Sequence, residues 1–195
     1  MKTPPFPNHL SSARLQLRRL RHEDAESLHA YRSLPEVARY QYWDSFGLDD
    51  AVRLIESQSG AQPNIPGTWF QLAIVNAATG SVIGDCGLHC QKRDPRQMEI
   101  GITLAPSHQG RRYADEAIEC VLRYVFDSLD THRVFATVDV LNQPAIALCR
   151  RLKFRQEAHF VDHLWFKGHW SSEFVFAILK REWEERPAAS HYYGT

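Results

Sequence analysis

The chain has 195 residues, of which 44% are hydrophobic and 24% are charged, and its 23 basic side chains are matched by 23 acidic ones. This length and apolar fraction support one folded domain with its own core and argue against intrinsic disorder. The zero net charge argues against nucleic acid as a partner, because phosphate neutralisation needs a basic surplus.

The sequence lacks membrane and secretion signals, and its cysteines indicate a reducing compartment. The sequence has no apolar run of ~18–20 residues and no charged-then-apolar leader, so neither a membrane span nor a secretion signal is predicted. The four cysteines form no CxxC pair and no zinc-type array, which is typical of reduced thiols. They are Cys86, Cys90, Cys120 and Cys149. We therefore expect a cytoplasmic protein.

The predicted elements are strands with an apolar–polar repeat and helices with one apolar face. In chain order they are strand 13–20, helix 22–33, helix 48–58, strands 69–75, 82–90 and 98–104, helix 113–126, strand 133–140, helix 143–152, and strands 154–160 and 173–180. Pro35 is expected to end the first helix.

Strands dominate the middle of the chain and helices interleave later. This order predicts a single α/β (α+β) domain with a mixed, mostly antiparallel central sheet flanked by helices. We expect residues 1–10 to be flexible, residues 11–183 to form the domain, and residues 184–195 to be a flexible C-terminal tail.

The most informative segment is EIGITLAPSHQGRRYA, residues 99–114, where a strand leads through a polar loop into an amphipathic helix. The first amides of a helix lack internal partners and the helix dipole is positive there, so this geometry binds anions. Arg111 and Arg112 add charge suited to phosphate oxygens. The segment is neither a P-loop nor a dinucleotide fingerprint. A plain turn with solvated arginines is an equal alternative on the residues alone.

This loop resembles that of the GNAT N-acetyltransferase superfamily, which follows Gln/Arg-x-x-Gly-x-Gly/Ala. Gln109 and Ala114 match, whereas Arg112 replaces the central glycine and could either crowd or contact a pyrophosphate. Further blocks resemble the ribosomal-protein-alanine acetyltransferase (RimJ/RimL-like) branch, with Lys153 replacing a glycine and Ser172 an aspartate. They are ARLQLRRLRHEDAESL, VIGDCGLH, NQPAIALCRRLKF, and GHW followed by FVFAIL.

The resemblance implies an acetyl-CoA-dependent N-acetyltransferase. Its acceptor would be a primary amine, on a protein N-terminus or a small molecule, that attacks the thioester directly in a ternary complex. The implied cofactor-binding residues are Ile102, Thr103, Leu104, Gln109, Gly110, Arg111, Arg112, Tyr113, Ala114 and Asn142. Asn142 serves equally well as a helix N-cap.

Two residues are candidates for proton transfer. Glu99 is the first choice for the general base, because apolar neighbours could raise its pKa; an exposed glutamate on a polar strand face is the alternative, with Asp85 and His89 as substitute bases. Cys149 stands where many relatives place a tyrosine general acid. It could protonate the CoA thiolate, or it could be a small buried hydrophobe with water as the acid.

Other clusters leave alternatives open. His159, His163 and His169 lack the ligands that would complete a tetrahedral set, so no metal is expected. The aromatic cluster at residues 40–46 could contact the acceptor or pack between helices. A CoA-binding regulatory module with weak or no catalysis is the alternative function. The C-terminal strands could pair in a homodimer.

Overall fold

The fold is described for residues 5–186 of a computed structural model. Eight strands form one sheet, namely β1 (His9–Ser11), β2 (Leu15–Arg19), β3 (Trp69–Asn76), β4 (Val82–Cys90), β5 (Gln97–Leu104), β6 (Arg133–Asp139), β7 (Arg155–Phe166) and β8 (His169–Leu179). The helices are α1 (Ala25–Arg32), α2 (Pro35–Ala38), α3 (Leu48–Ser57), α4 (Tyr113–Asp127), α5 (Gln143–Arg151) and α6 (Lys180–Glu184), with 3-10 turns at His22–Asp24 and Pro106–His108.

The sheet has the order β1-β2-β3-β4-β5-β6-β8-β7. Every neighbouring pair is antiparallel except β5 and β6, which run parallel and are connected through α4. The parallel pair needs a crossover helix because a hairpin cannot join parallel strands. The predicted single α/β domain with a mixed, mostly antiparallel sheet is therefore confirmed.

The parallel pair β5–β6 is joined only at its beginning. Three residues of each strand are in register, from Gln97–Glu99 on β5 and from Arg133–Phe135 on β6. Beyond Glu99, β5 continues in register with β4 alone as far as Leu104. The two strands therefore diverge, and the sheet opens on the side toward which both strands run.

The main core lies between the sheet and α4. The apolar face of α4 that the sequence predicted is buried, including Ala117, Val121 and Val125, and it packs with the inward side chains of the central strands. A second, smaller apolar cluster joins α1 to α3. Such burial of an amphipathic face is what stabilises most helices in proteins.

The described part of the segment expected to be flexible, residues 5–10, packs on the core. Phe6 is 7% exposed and packs against Phe70 and Tyr124, with ring centroids 5.0 and 5.3 Å apart. His9 and Leu10 begin β1, which pairs with β2. The packing of Phe6 and the pairing of β1 both attach this proline-rich segment to the core. Residues 1–4 and 187–195 lie outside the described residues.

Two local predictions also needed correction. Pro35 does not merely end the first helix; it begins α2, where its fixed φ and missing amide are well tolerated at the first helical position. The last two strands are longer than predicted, because their hairpin extends past the core and turns at Lys167 and Gly168, both with positive φ. The exposed aromatic residues of this hairpin form no apolar–polar repeat, so the sequence pattern did not indicate the extension.

Candidate active site

Two adjoining cavities occupy the opening between β5 and β6. The large cavity, of about 700 Å³, is lined by β4, β5, β6, β8 and the segment after α2. The loop cavity, of about 330 Å³, lies between the β5–α4 loop and the start of α5. They share seven lining residues, which mark where they meet: Tyr40, Gln41, Ile102, Thr103, Asn142, Ala145 and Leu148.

The loop cavity brings together almost all the residues that were predicted to bind the cofactor. Those lining it are Ile102, Thr103, Leu104, Gln109, Gly110, Arg112, Tyr113, Ala114 and Asn142. Arg111 is the exception, because it is exposed and its backbone carbonyl accepts a hydrogen bond from Arg14. The individual binding roles of these residues stay predictions.

The loop is shaped by local backbone geometry. Gln109 Nε2 donates to the Leu104 carbonyl at 3.0 Å and holds the loop against the end of β5. Gly110 and Arg112 both have positive φ, at 73° and 64°, and α4 begins at Tyr113. The loop therefore aims the unpaired first amides of a 15-residue helix at the cavity, the arrangement that binds anions.

Arg112 explains why a glycine is usual at this position. Its left-handed backbone is one that L residues adopt only at a cost. The guanidinium is 68% exposed and forms a 3.1 Å ion pair with Asp115, which is also paired with Arg151 at 2.7 Å. The side chain is thus drawn to the first turn of α4 at the rim of the loop cavity.

Asn142 is the N-cap of α5. Its Oδ1 accepts a hydrogen bond from the Ala145 amide at 3.3 Å, as a capping asparagine should. It also lines both cavities. The capping role is therefore observed, and contact with a pantetheine arm stays a prediction that the position permits.

Glu99 lies on the wall of the large cavity at the last residue where β5 and β6 pair. Burial raises the pKa of its carboxyl above the ordinary value, and the nearby Glu173 acts in the same direction, while a hydrogen bond with Thr137 and the neighbouring His89 partly oppose the shift. A carboxylate with a raised pKa is a better proton acceptor, which suits a general base.

The two substitute bases differ sharply. His89 lies directly across from Glu99 on β4, with Nδ1 3.7 Å from Glu99 Oε2, and its ring stacks on Trp69 at 4.9 Å. Asp85 is instead held in a buried network. Its carboxylate pairs with Arg32 and Gln71 and accepts from the Tyr31 hydroxyl at 2.6 Å. These contacts hold Asp85 as a structural anion, which leaves His89 as the better placed of the two substitute bases.

Cys149 lies in the wall of the large cavity but does not have the thiol pKa that its predicted role needs. It is 7% exposed, and burial raises the pKa of the thiol to about 12. An ordinary cysteine thiol holds its proton much less tightly, with a pKa of roughly 8.5. A thiol that holds its proton this tightly is a poor donor, which argues against Cys149 as the general acid, and its role stays a prediction.

Sequence reasoning missed two carboxylates in the large cavity. Glu173 and Asp139 are direct neighbours on β8 and β6. Glu173 accepts from His163 at 2.7 Å, and Asp139 accepts from the Ser171 hydroxyl at 2.6 Å. Only the pairing of β6 with β8 shows that these two carboxylates are neighbours. Glu173 is the first residue of its predicted strand, so the side of the sheet that its side chain faces could not be inferred.

The aromatic cluster divides between the two alternatives. Tyr40, Tyr42 and Trp43 line the large cavity, whereas Phe46 is buried in the cluster between α1 and α3. Arg32 links them, because its guanidinium lies 4.5 Å from the Trp43 ring centre and 5.1 Å from that of Phe46. The segment is thus both a cavity wall and a helix-packing element.

Two of the three C-terminal histidines contact different side chains. His163 pairs with Glu173, and His159 packs on the Phe174 ring at 4.7 Å. Within residues 5–186, no group of three or more His, Cys, Asp or Glu is placed to hold a metal ion. No helix in the same range is long and apolar enough to cross a membrane.

Fold and site together define an acetyltransferase domain, and comparison with known proteins gives the same class. Residues 14–155 match the family model described as an acetyltransferase (GNAT) domain. The chain therefore belongs to the GNAT family, and it is an enzyme of the N-acetyltransferase class.

Relatives and solved structures agree with this assignment. The chain is 33% identical to a Bacillus licheniformis protein named uncharacterized N-acetyltransferase p20, over 89% of this chain and 97% of that protein. Mycobacterium smegmatis RimJ in complex with CoA-disulfide has the same fold, with a TM-score of 0.82 at 20% identity, covering 97% of this chain and 95% of that one. Vibrio cholerae spermidine N-acetyltransferase in complex with CoA and spermine has a TM-score of 0.76 at 23% identity, covering 88% and 99%.

Proposed function

We propose that the protein transfers the acetyl group of acetyl-CoA to a primary amine by direct attack in a ternary complex. The observation that carries this proposal is the joining of two cavities of different chemistry. The loop cavity offers helix amides and arginine, which suit an anionic cofactor, and the large cavity offers Glu99 and further carboxylates, which suit an amine.

Acetyl-CoA would enter with its pyrophosphate at the loop. The unpaired amides at the start of α4 and the arginine at residue 112 supply positive potential there. The pantetheine arm would follow Ile102 and Thr103, whose strand lacks a partner on the β6 side beyond Glu99. This path places the thioester where the cavities meet. Unsatisfied strand groups are natural partners for the amides of pantetheine.

Glu99 would prepare the nucleophile. The amine enters as an ammonium ion, and the Glu99 carboxylate accepts its proton, directly or through one water. The neutral nitrogen then forms a bond to the thioester carbonyl carbon as the carbon–sulfur bond breaks. Holding the two reactants in adjoining cavities supplies the proximity that such a bimolecular step needs.

The large cavity favours a cationic acceptor. Glu99, Asp139 and Glu173 line it, and none of them forms an ion pair with Lys or Arg in the described part of the chain. Carboxylates that no Lys or Arg neutralises attract ammonium groups strongly in a partly enclosed site. A small polycation fits this wall, and the spermine complex named for the Vibrio cholerae relative supports the same class. A protein N-terminus also presents an ammonium group.

The test combines binding with turnover. Thermal unfolding is measured with and without acetyl-CoA, and release of free CoA thiol is followed over a panel of amines that includes spermidine, a monoamine and an alanine-initiated peptide. Stabilisation together with amine-dependent thiol release supports the enzyme. Stabilisation without release by any amine favours the CoA-binding regulatory module. The absence of any stabilisation contradicts both functions.

We further propose that the protein works in the cytoplasm and that residues 11–183 form its N-acetyltransferase domain. All four cysteines are free thiols, which suits a reducing compartment. The homodimer through the C-terminal strands stays a prediction, and the molar mass in solution, measured by light scattering, decides it.

A further inference from the structure

The proposed transfer leaves one proton without a donor. When the carbon–sulfur bond breaks, the CoA thiolate must be protonated or leave as an anion. Cys149, at the position that the family resemblance indicates, is buried and its thiol holds its proton too tightly for this task. A different group has to be found by geometry.

The thioester sulfur must lie where the two cavities meet, because the phosphates belong to the loop cavity and the amine to the large one. Among the seven residues that line both cavities, Tyr40 alone has a titratable side chain. The others are apolar residues, Thr103 and two amides. Tyrosine is an established general acid in enzymes.

Tyr40 is held beside this junction by two contacts. The hydroxyl donates to the Leu141 carbonyl at 3.1 Å, next to Asn142, which itself lines both cavities. The Arg39 guanidinium lies 5.2 Å from the centre of the tyrosine ring and packs against it. The side chain is half-buried, so solvent can return a proton after each turnover.

We propose that Tyr40 is the general acid of the transfer reaction, an inference that rests on the proposed function. The amine nitrogen bonds to the acetyl carbonyl carbon, and the electron pair of the carbon–sulfur bond goes to sulfur. The Tyr40 hydroxyl turns from Leu141 and gives its proton to that sulfur. The resulting phenolate takes up, through water, the second proton that the amine nitrogen loses as it becomes the amide. The acid that the family resemblance indicates on α5 is thereby supplied by the segment after α2.

The test compares two acetyl donors, of which only acetyl-CoA has a thiolate leaving group that needs a proton. Tyr40→Phe keeps the ring and removes the proton, so kcat with acetyl-CoA should fall about 100-fold, as expected for loss of a general acid. The Kd of acetyl-CoA should stay within about twofold, since the thioester sulfur is not protonated in the ground state. With the thioacetate ester of p-nitrothiophenol, whose thiolate departs without protonation, kcat/KM should fall less than about threefold.

Two control variants make the result decisive. Tyr124→Phe removes a hydroxyl that lines neither cavity and should change neither donor's rate. Cys149→Ala should retain turnover with acetyl-CoA. Equal losses with both donors in Tyr40→Phe would show a structural role and overturn the proposal. So would full activity of Tyr40→Phe, or a leaving-group-dependent loss in Cys149→Ala. A wild-type protein that acetylates no amine overturns the proposed function as well, which distinguishes the two failures.

Discussion

The two cavities are built in different ways. The loop cavity is formed mainly by two short segments, the end of β5 with the loop into α4 and the start of α5. The large cavity draws its walls from residues that lie far apart in sequence, from Arg32 on α1 to Glu173 on β8. One cavity is thus encoded locally, whereas the other exists only because the whole sheet is assembled.

This difference separates what binds a common cofactor from what selects an acceptor. A local segment keeps its shape through its own backbone, as the loop does at Gly110 and Arg112. A wall assembled from distant elements depends on long-range contacts such as the pair between Arg32 and Asp85, which are 53 residues apart. Substitutions should therefore damage the two cavities independently.

The largest expected effect concerns the buried ion pair between Arg32 and Asp85. Asp85 is 1% exposed and faces Arg32, Tyr31 and Gln71, so Asp85→Ala leaves a buried guanidinium without its anion. Removing one partner of such a pair lowers the free energy of unfolding by about 3–5 kcal/mol. Chemical denaturation measures this loss.

The same variant should leave the loop cavity intact. We expect a raised KM for the amine and an unchanged affinity for acetyl-CoA, because Arg32 anchors Trp43 in the large cavity only. Glu23→Ala, which removes an exposed ion pair with Arg21, is the control and should leave stability nearly unchanged. Equal loss of acetyl-CoA affinity in Asp85→Ala would mean that the cavities are not independent.

Glu99→Gln tests the chemical difference between the cavities. The amide has the shape of the carboxylate but cannot accept the ammonium proton, so kcat should fall about 100-fold, equivalent to about 2.7 kcal/mol of transition-state stabilisation. Acetyl-CoA binding, followed by calorimetry, should not change. Turnover equal to that of the wild type would remove Glu99 as the base and direct attention to His89, its neighbour on β4.

The pH dependence of the wild type follows from the raised pKa of Glu99. The carboxylate is the active form, so kcat/KM is full above that pKa and is lost as the pH falls through it. The acid limb should lie above the ordinary glutamate value of about 4.3. Glu173→Gln removes a neighbouring negative charge that contributes to the shift, and it should move the limb to lower pH. A limb unmoved by Glu173→Gln would mean that burial alone sets it.

The sequence could predict the local features of the site and not the distant ones. The loop from Gln109 to Ala114, the helix after it and the cap at Asn142 all carry short-range signals, and the structure places them together at one cavity. Periodicity also located most strands, because alternation reports burial of one face. It could not show that the described part of residues 1–10 packs on the core.

The residues that sequence reasoning misjudged are those whose environment comes from elsewhere in the chain. Asp85 looked like a candidate base until Arg32 was found beside it. Cys149 looked like an ordinary thiol until the core around α5 showed how deeply it is buried. Tyr40 was grouped with Tyr42 because they are neighbours, and only the junction of the cavities separates them. Contacts between residues far apart in sequence set the chemistry of these side chains, and a local sequence pattern does not report those contacts.

The smallest effects concern two positions where relatives carry glycine. Lys153 follows α5 with φ of 59°, and the Phe154 amide donates to the Cys149 carbonyl while the Lys153 amide donates to Arg150, which closes the helix in a Schellman motif. The lysine is exposed. Lys153→Gly relieves the left-handed strain and should raise the free energy of unfolding by about 0.5–1 kcal/mol, with no change in acetyl-CoA affinity.

Arg112→Gly relieves the same strain on the wall of the loop cavity, where it should also remove a charge that attracts the cofactor. We expect acetyl-CoA to bind about threefold more weakly, an effect that should shrink at high salt because exposed charges are screened. Arg112→Lys, which keeps the charge and the strained backbone, should bind like the wild type. Tighter binding by Arg112→Gly, measured by calorimetry beside Lys153→Gly, would show instead that the arginine obstructs the pyrophosphate.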